Sequence, residues 1–214
     1  MTEDEAKQWL VDSLAVPRET MGRLERYVAL LLAGMEEQNL IAASTRNHVW
    51  ARHIVDSAQL LPFASGAGEG PWVDLGSGAG LPAIVVAVLS NRPVVMIEAR
   101  RKRIEFLSHI ATELGLAHAK VIGGRVESAE MAVPASIISA RAYAPLPRLF
   151  SSALHLSTDQ TIWVLPKGRN AEIELEATRP TWQGVFHVER SVTDTDSAII
   201  VARGVTPKGK KGQR

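Results

Sequence analysis

The amino-acid sequence predicts an α/β fold: a mostly parallel sheet with helices on both faces, an antiparallel edge and an N-terminal helical extension. From Trp72 onwards, short aliphatic runs alternate with longer amphipathic segments. That alternation is typical of a parallel sheet covered on both faces. Two strand-like segments, 184–192 and 197–204, lie close together and predict an antiparallel pair at one sheet edge. Before Trp72, apolar residues recur at helical spacing, which predicts the extension.

The predicted elements of the extension come first in the chain. Residues 3–14 and about 20–37 carry helical patterns, and we expect Asn39 to close the second helix because Asn tolerates the left-handed conformation. A third helix should follow and end before Pro62. The Gly-rich segment 64–71 is typical of a hinge.

Strand and helix signals then alternate along the chain. The strand signals are "WVDL", "VVMIEA", "AKVIGG", "ASIIS" and "TIWVLP", and the helix signals between them are "LPAIVVAVLS", "RKRIEFLSHIATELG" and "LFSSALHL". We therefore expect a helical extension over 1–63 packed on the core, an α/β domain over 64–204, and a tail over 205–214. The tail is basic and Gly-rich, a composition that predicts disorder.

Composition excludes several classes of protein. No apolar run approaches the roughly 20 residues that cross a bilayer, so we expect no membrane association. The N-terminus is acidic and lacks an apolar signal core, which predicts a cytoplasmic protein. The absence of cysteine excludes disulfides, thiolate metal sites and a cysteine nucleophile. With a net charge of only +1, any RNA contact must come from local patches.

The turn "GSGAG" stands between a predicted strand and a predicted helix whose first turn can hold Pro82. Its glycines, Gly76, Gly78 and Gly80, let bare backbone approach a ligand and aim amide hydrogens at it. Glu98 ends the next strand, 18 residues after Gly80, where a carboxylate can accept both hydroxyls of a ribose. The sequence therefore predicts a nucleoside site that also includes Ser77; an ordinary turn beside a surface glutamate is the alternative.

S-adenosylmethionine suits this turn better than a dinucleotide does. A dinucleotide needs a turn shaped for a pyrophosphate, whereas S-adenosylmethionine has an amino-acid tail whose ammonium needs an acidic partner just upstream of the glycines. Asp74 occupies that position. The D-x-G-x-G-x-G arrangement resembles the first motif of Rossmann-like S-adenosylmethionine-dependent methyltransferases, and we rank that fold above a dehydrogenase.

The methyl acceptor should bind after the fourth strand, where the chain reads "ARAYAP". Enzymes that methylate exocyclic amines commonly carry N/D-P-P-Y/F there, and carbon-5 methylation generally uses a cysteine, so both reactions are disfavoured. Guanine N7 remains attractive, because its exposed lone pair carries no proton and needs no general base. Arg141 would then act by electrostatics and positioning, on the cofactor carboxylate or on RNA. A surface arginine that caps a loop is the alternative.

Other charged residues are weaker candidates. Val126 and Glu127 follow the third strand, where such folds offer the adenine a backbone amide and a polar side chain; Glu127 could equally be a helix-start glutamate. Lys167, at the end of the fifth strand, could bind an RNA phosphate. Arg100 and Arg101 could contact RNA, although basic residues at a helix start are more often only solvated.

The stretch "RHIVDS" (52–57) places three polar residues within reach of one another on a helix. His53 and Asp56 are three residues apart, and Arg52 and Asp56 are four apart, so they can form a local network. We favour a structural bridge between the extension and the sheet. A lone His–Asp pair makes no metal site, and we predict no metal.

With these motifs assembled, the chain resembles the bacterial ribosomal RNA small subunit methyltransferase G family, also called glucose-inhibited division protein B. The matching stretches are "NL" (39–40), "RHIVDS" (52–57), "DLGSGAGLPAI" (74–84), "GRVES" (124–128), "SARA" (139–142) and "PKG" (166–168). Their order covers roughly residues 20–204. Two positions depart from the pattern: Ala83 replaces a frequent glycine, and Glu98 stands where Asp is also common. Neither departure removes a ligand-binding type of residue.

The resemblance implies methylation of N7 of one guanine in the decoding-region loop of 16S rRNA, with S-adenosylmethionine as cofactor. It implies cofactor contacts at Gly76, Leu81, Val126, Glu127 and Arg141, to which the spacing argument adds the residues named above. The partner would be 16S rRNA, the small ribosomal subunit or its precursor, and we expect a monomer. The residues alone predict only a methyltransferase, acting on RNA or on another nucleobase.

Two other functions stay open. A small-molecule methyltransferase would share this fold but would normally carry a lid, and no long insert separates the predicted strands. A non-catalytic RNA-associated protein with a vestigial site would bind S-adenosylmethionine without turnover.

Overall fold

One seven-stranded sheet runs through the molecule in the computed structural model, which describes residues 1–209. The strands are β1 (Trp72–Leu75), β2 (Val94–Glu98), β3 (Ala119–Gly123), β4 (Ile137–Ser139), β5 (Ile162–Lys167), β6 (Trp182–Arg190) and β7 (Ala198–Pro207). They lie in the order β3-β2-β1-β4-β5-β7-β6. The first five are parallel, whereas β7 runs antiparallel to both β5 and β6, so the predicted mixed sheet with an antiparallel edge is confirmed.

Helices cover both faces of this sheet. They are α1 (Glu3–Leu14), α2 (Arg18–Gly34), α3 (Asp56–Ala58), α4 (Ala83–Leu89), α5 (Arg101–Glu113), α6 (Leu146–Ala153) and α7 (Ala171–Thr178). Short 3₁₀ segments add Ala43–His48, Pro62–Ala64, Val126–Ser128 and Leu154–Leu156. Within residues 1–209, no helix has both the length and the apolar composition needed to span a bilayer.

Two hydrophobic cores form, one on each face. The first joins α1, α2, α4 and α5, and includes Leu10, Leu24 and Ile84. The second lies under α6 and α7, where the rings of Phe150 and Trp163 meet edge to face with centroids 5.2 Å apart. The extension contributes side chains to the first core and so buries the apolar stripes of its own helices.

The strand order creates the crevice in which a ligand can bind. The chain leaves β1 toward β2 on one side, and it later enters β4 on the other side of β1. Such a reversal opens a gap between neighbouring loops at the carboxyl ends of the strands, which is where open α/β sheets bind their ligands. The loops after β1 and β4 therefore flank this gap.

The segment after α2 differs from the prediction. The helix ends at Gly34, so Asn39 does not close it. The predicted third helix begins as a π-helix, Trp50–Val55, and continues as the short α3. A π-helix is wider than an α-helix and often occurs at functional sites. Its presence changes which side chains of "RHIVDS" face the sheet.

Two further differences concern the carboxyl-terminal half. Helix α7 was not predicted, because its glutamates alternate with small and apolar residues and leave Ile173 exposed. Strand β7 continues to Pro207, past the predicted domain end at 204, because Trp182 and Gln183 of β6 pair with Pro207 and Thr206. The last five residues of the predicted tail, 210–214, lie outside the described residues.

Candidate functional site

The turn after β1 requires its three glycines for different reasons. All three have left-handed φ values, +65° at Gly76, +59° at Gly78 and +90° at Gly80. A Cβ at Gly76 would lie 2.7 Å from Cδ2 of Tyr143, and one at Gly80 would overlap Ile84. At Gly78 only ordinary contacts would result, so there the conformation alone demands glycine. Packing therefore leaves no room for a side chain at Gly76 or Gly80, whereas Gly78, in the middle of the turn, has room beside it.

Hydrogen bonds fix the turn to its surroundings. The N–H groups of Gly76 and Ser77 both donate to the carbonyl of Ile97, at 2.8 and 3.1 Å. From the extension, the buried hydroxyl of Tyr27 donates to the carbonyl of Ala79 at 2.8 Å. Burial raises the pKa of Tyr27 far above its usual range, so the hydroxyl keeps its proton and remains a donor.

Asp74 is buried at the carboxyl end of β1, with 1% of its surface exposed. Its Oδ1 accepts a 2.7 Å hydrogen bond from Ser139 of β4, and Ser139 accepts one from the indole of Trp72. Within residues 1–209, Oδ2 has no hydrogen-bond partner. Burial raises the pKa of Asp74 to about 6, against the opposing effects of the Ser139 hydrogen bond and the positive charge of Arg141. This carboxyl group can therefore bind a cation that approaches Oδ2.

Glu98 closes the other side of the turn from the end of β2. Its Oε2 accepts from the N–H of Gly78 at 2.9 Å, and its Oε1 accepts from the N–H of Arg100 at 2.8 Å. The guanidinium of Arg103 approaches Oε2 at 4.0 Å. A carboxylate has about four acceptor positions, so lone pairs remain for ribose hydroxyls. The structure places Glu98 against the glycine turn, which it helps to hold, and its contact with a ribose stays a prediction.

The remaining predicted cofactor residues differ in exposure. Leu81 is buried in the first core, beside the glycine turn in sequence. Val126 is buried in the second core and opens a 3₁₀ segment after β3. Glu127 is exposed. The contact of Leu81 with the cofactor, and of Val126 and Glu127 with its adenine, stays a prediction.

Arg141 lies two residues past the end of β4 and is held by the segment "RHIVDS". Its Nη1 donates to Nδ1 of His53 at 3.1 Å and lies 3.4 Å from both Oδ2 of Asp56 and the carbonyl of Arg52. The two side chains come from a segment nearly ninety residues earlier in the chain. The bridge that we favoured for "RHIVDS" thus ends on the arginine that we predicted for the acceptor side.

The protonation of His53 follows from its neighbours. An arginine can only donate, so Nδ1 of His53 accepts and the ring proton sits on Nε2. Nε2 lies 2.7 Å from Oγ1 of Thr45, whose own hydrogen goes to the carbonyl of Ala42. Burial, then the charges of Arg141 and Arg52, lower the pKa of His53 to about 3. His53 is therefore a neutral acceptor that orients Arg141.

One expected contact within "RHIVDS" is wrong. Arg52 does not pair with Asp56; its Nη1 binds Oδ2 of Asp194 at 2.6 Å. Oδ1 of Asp56 instead accepts from Gln59 at 2.9 Å and from Thr193 at 3.0 Å. The four-residue spacing that joins partners on an α-helix does not do so across this π-helix.

Two cavities meet at Arg141. One, of about 770 Å³, extends from Arg141 toward the end of β5 and α7. The other, of about 370 Å³, extends toward Thr45 and Asp194. Asp56, Arg141, Ala142 and Ser197 line both. The larger volume lies within the range of pockets that bind small ligands or cofactors, so a nucleobase fits there.

The three predicted RNA contacts lie in different environments. Arg100 and Arg101 are exposed at the start of α5, and Arg101 pairs with Glu105 along that helix. Lys167 is mostly buried, and its Nζ lies 2.9 Å from Oε1 of Glu174. An ammonium that already has a carboxylate partner is a weaker phosphate site, so Lys167 differs from the exposed arginines.

Several residues at the site were missed from the sequence. Ser139 and Trp72 reach Asp74 across neighbouring strands, Tyr27 reaches the glycine turn from α2, and Thr45 supports His53. Of these residues, only Ser139 belongs to one of the stretches that carry the family resemblance, the motif "SARA".

Comparisons with known proteins show which family the sequence matches. Residues 20–199 match the model of the family described as "rRNA small subunit methyltransferase G". The chain is 52% identical to the ribosomal RNA small subunit methyltransferase G of Rhizorhabdus wittichii, over 100% of this chain and 99% of the relative. Its identity to the protein of that name in Zymomonas mobilis is 47%, over 99% and 98% of the two chains.

Solved structures support the fold class. An O-methyltransferase from Bacillus cereus, in complex with S-adenosylhomocysteine, superposes with a TM-score of 0.59 at 19% identity, over 92% of this chain and 96% of that chain. A glycopeptide N-methyltransferase bound to sinefungin gives a TM-score of 0.59 at 8% identity, over 71% and 93%. At these identities the likeness shows the fold alone, which is the predicted methyltransferase fold.

Proposed function

Since this chain belongs to the rRNA small subunit methyltransferase G family, we propose that it methylates N7 of one guanine in the decoding-region loop of 16S rRNA. The substrate would be 16S rRNA, the small ribosomal subunit or its precursor, and the reaction would take place in the cytoplasm, where ribosomes assemble. S-adenosylmethionine supplies an electrophilic methyl group when it is bound. The observation that carries the proposal is Arg141, held by a neutral His53 beside the crevice.

The residues around the glycine turn fit S-adenosylmethionine. The bare middle of the turn leaves room for a ligand at Gly78. The unpartnered Oδ2 of Asp74 would accept a hydrogen bond from the cofactor ammonium. Glu98 would accept from the ribose hydroxyls, and Val126 and Glu127 would meet the adenine.

The acceptor side fits a nucleophile that carries no proton. Guanine N7 attacks with its own lone pair, so the enzyme needs position and electrostatics rather than a base. His53 could not act as a base near neutral pH, because its pKa is lowered to about 3 and its Nδ1 already accepts from Arg141. Arg141 would orient the cofactor carboxylate or the RNA with donors that need no rearrangement. Arg100 and Arg101 would bind phosphates nearby.

The direct test is to map N7-methylguanosine in small-subunit rRNA from cells with and without this protein, and then to restore it with purified protein. We expect one guanine to lose the modification and regain it. Loss of a different modification, or of none, would contradict the substrate.

Kinetics test the mechanism. We expect single-turnover transfer to be flat from about pH 7 to 9, since no catalytic proton is lost there, and to fall below about pH 6, where Asp74 becomes protonated. Arg141→Ala should raise the barrier by roughly 2–4 kcal/mol, as loss of one preorganised donor does. Arg141→Lys should recover only part of this, because an ammonium lacks the planar fork. A rate that climbs tenfold per pH unit through neutrality would refute the N7 assignment.

A further inference from the structure

The larger cavity at Arg141 is lined by several parts of the chain, including Asp56 of the segment "RHIVDS". The loop after β4, the end of β5, α7 and the start of β7 all contribute lining residues. Arg141 and Tyr143 stand at one end, and Tyr143 also packs against Gly76 of the glycine turn. Lys167 and Glu174 line the wall formed by β5 and α7. The cavity therefore extends from Tyr143, which lies beside the glycine turn, to a mostly buried ion pair to which the mechanism so far assigns no role.

That ion pair is fixed by its neighbours. Nζ of Lys167 lies 2.9 Å from Oε1 of Glu174 and donates to the carbonyl of Ala144 at 3.1 Å. Oε1 of Glu174 also accepts from the N–H of Leu146 at 2.6 Å. Both side chains are mostly buried, with 13% and 24% of their side-chain surfaces exposed. Because these side chains are already fixed, they can bind a ligand with little further loss of side-chain entropy.

The pair still has hydrogen-bonding capacity that the protein does not use. In the described part of the chain, Oε2 of Glu174 accepts no hydrogen bond, and the ammonium of Lys167 donates to only two acceptors. A lysine ammonium has three donors. The wall therefore offers one free acceptor and one free donor, side by side.

Guanine complements this pattern. Its Watson–Crick edge carries an acceptor, O6, next to two donors, N1–H and the N2 amine, whereas adenine carries an amine donor at the place of O6 and has no N2 amine. Lys167 could donate to O6, and Oε2 of Glu174, whose two lone pairs are both free within residues 1–209, could accept from N1–H and from the N2 amine. The N7 atom lies on the other edge of the base and stays free for reaction.

The cavity also offers surfaces for the faces of a base. Tyr143 and Pro145 line it on one side, and Ile173 of α7 lines it with 71% of its surface exposed. Enzymes that act on an extruded base hold it by stacking on aromatic or apolar side chains and by hydrogen bonds to its Watson–Crick edge. The exposure of a large apolar residue at this position is thus explained.

We propose that Glu174 and Lys167 recognise the Watson–Crick edge of the guanine that is methylated and so determine the base specificity of the enzyme. The inference rests on the proposed function, because it concerns the same acceptor site. Glu174 accepts hydrogen bonds from N1–H and the N2 amine, and Lys167 donates one to O6.

The test compares guanine with inosine, which lacks only the N2 amine. Small subunits are reconstituted on rRNA that carries one or the other base at the target position, and kcat/KM is measured for the wild-type protein and for Glu174→Gln. Loss of one hydrogen bond to a charged group should lower the wild-type kcat/KM for inosine about tenfold. Glu174→Gln keeps an oxygen for Leu146 but turns a donor toward the N2 amine. The variant should therefore lose most of its activity on guanine, and its kcat/KM values for guanine and inosine should differ by less than about twofold.

The exposed Glu172→Gln on the same helix is the matched control and should behave as wild type. A second arm needs no turnover: saturation-transfer NMR with S-adenosylhomocysteine present should detect guanosine 5′-monophosphate in preference to adenosine 5′-monophosphate, and Glu174→Gln should abolish the preference. Discrimination that is equal in wild type and Glu174→Gln, in either arm, overturns the inference. Absence of methylation on guanine-containing subunits contradicts the proposed function instead.

Discussion

Replacing Asp74 by Asn should make the ligand-free protein more stable and its cofactor site weaker. The carboxyl group is buried, and within residues 1–209 its Oδ2 has no partner. Burial raises its pKa from 3.8 to about 6, so the folded protein binds this proton more tightly than the unfolded chain does. Asn has the same shape and no charge. The substitution therefore removes the cost of ionising a buried acid.

The magnitude follows from the shift. A rise from 3.8 to about 6 corresponds to about 3 kcal/mol, at 1.36 kcal/mol per pKa unit. A raised pKa favours folding below pH 3.8, and this contribution is lost as the pH rises through about 6. The amide of Asn still accepts from Ser139, but its unpartnered NH₂ group costs about 1–2 kcal/mol. We expect a net gain of about 1–2 kcal/mol at pH 8.

The assay is urea unfolding of wild type and Asp74→Asn between pH 4 and 8. The stability difference between the two should shift in favour of Asn by about 2 kcal/mol across this range, with most of the change between pH 4 and 6. The exposed Asp196→Asn is the control and should stay within about 0.5 kcal/mol of wild type. A difference that is independent of pH, or that shrinks as the pH rises, would refute the reasoning.

Cofactor binding provides the second half of the test. If Asp74 meets the ammonium, Asp74→Asn should weaken S-adenosylhomocysteine binding at pH 8 by about 1.5–3 kcal/mol, the value of a hydrogen bond to a charged group. Calorimetry measures this directly. A more stable variant with unchanged affinity would show that the buried charge serves some other purpose.

Three further substitutions test the turn. Gly78→Val, at a φ of +59°, should abolish S-adenosylhomocysteine binding in calorimetry while circular dichroism shows a folded protein, whereas Gly22→Ala, at an exposed position of α2, should bind normally. Tyr27→Phe should lower the free energy of unfolding in urea by about 1–2 kcal/mol, since the buried carbonyl of Ala79 loses its donor. Glu98→Ala should weaken S-adenosylmethionine and S-adenosylhomocysteine equally in calorimetry, by roughly 1–3 kcal/mol, because both share the ribose; an unequal loss would contradict that contact.

The sequence predicted those parts of the site whose residues are close in the chain. A strand, a glycine turn and a helix follow one another between Trp72 and Leu89, so their order alone placed the turn at the end of β1. Glu98 needed one further step, since it ends the next strand and adjacent parallel strands end at the same edge. Local spacing and the rules of parallel sheets suffice for such contacts.

Contacts that depend on sheet order and helix type could not be predicted. Ser139 supports Asp74 only because β4 lies beside β1, in a register that places these two residues opposite each other. The partners of Arg141 could not be predicted for another reason. The segment Trp50–Val55 is a π-helix, to which the four-residue spacing of an α-helix does not apply, and Arg52 pairs with Asp194 instead of Asp56. Nothing in "RHIVDS" distinguishes a π-helix from an α-helix.

The helical extension holds the segment that positions Arg141. At its start, Glu3 of α1 accepts hydrogen bonds from the N–H groups of Trp50 and Ala51, both at 3.0 Å, and so caps the π-helix that carries His53. A carboxylate at a helix N-terminus is favoured by both the free donors and the helix dipole. Helix α1 thereby fixes the segment that carries His53, and His53 in turn holds Arg141.

The same extension also holds the other side of the crevice. Tyr27 binds the carbonyl of Ala79 in the turn after β1, whereas His53 holds Arg141 in the loop after β4. These two loops flank the point where the strand order reverses, so the extension fixes both sides of the crevice from one face of the sheet. The extension and that face also share one hydrophobic core. The helical extension and the α/β domain, which the sequence divides near residue 64, therefore both contribute to a single site.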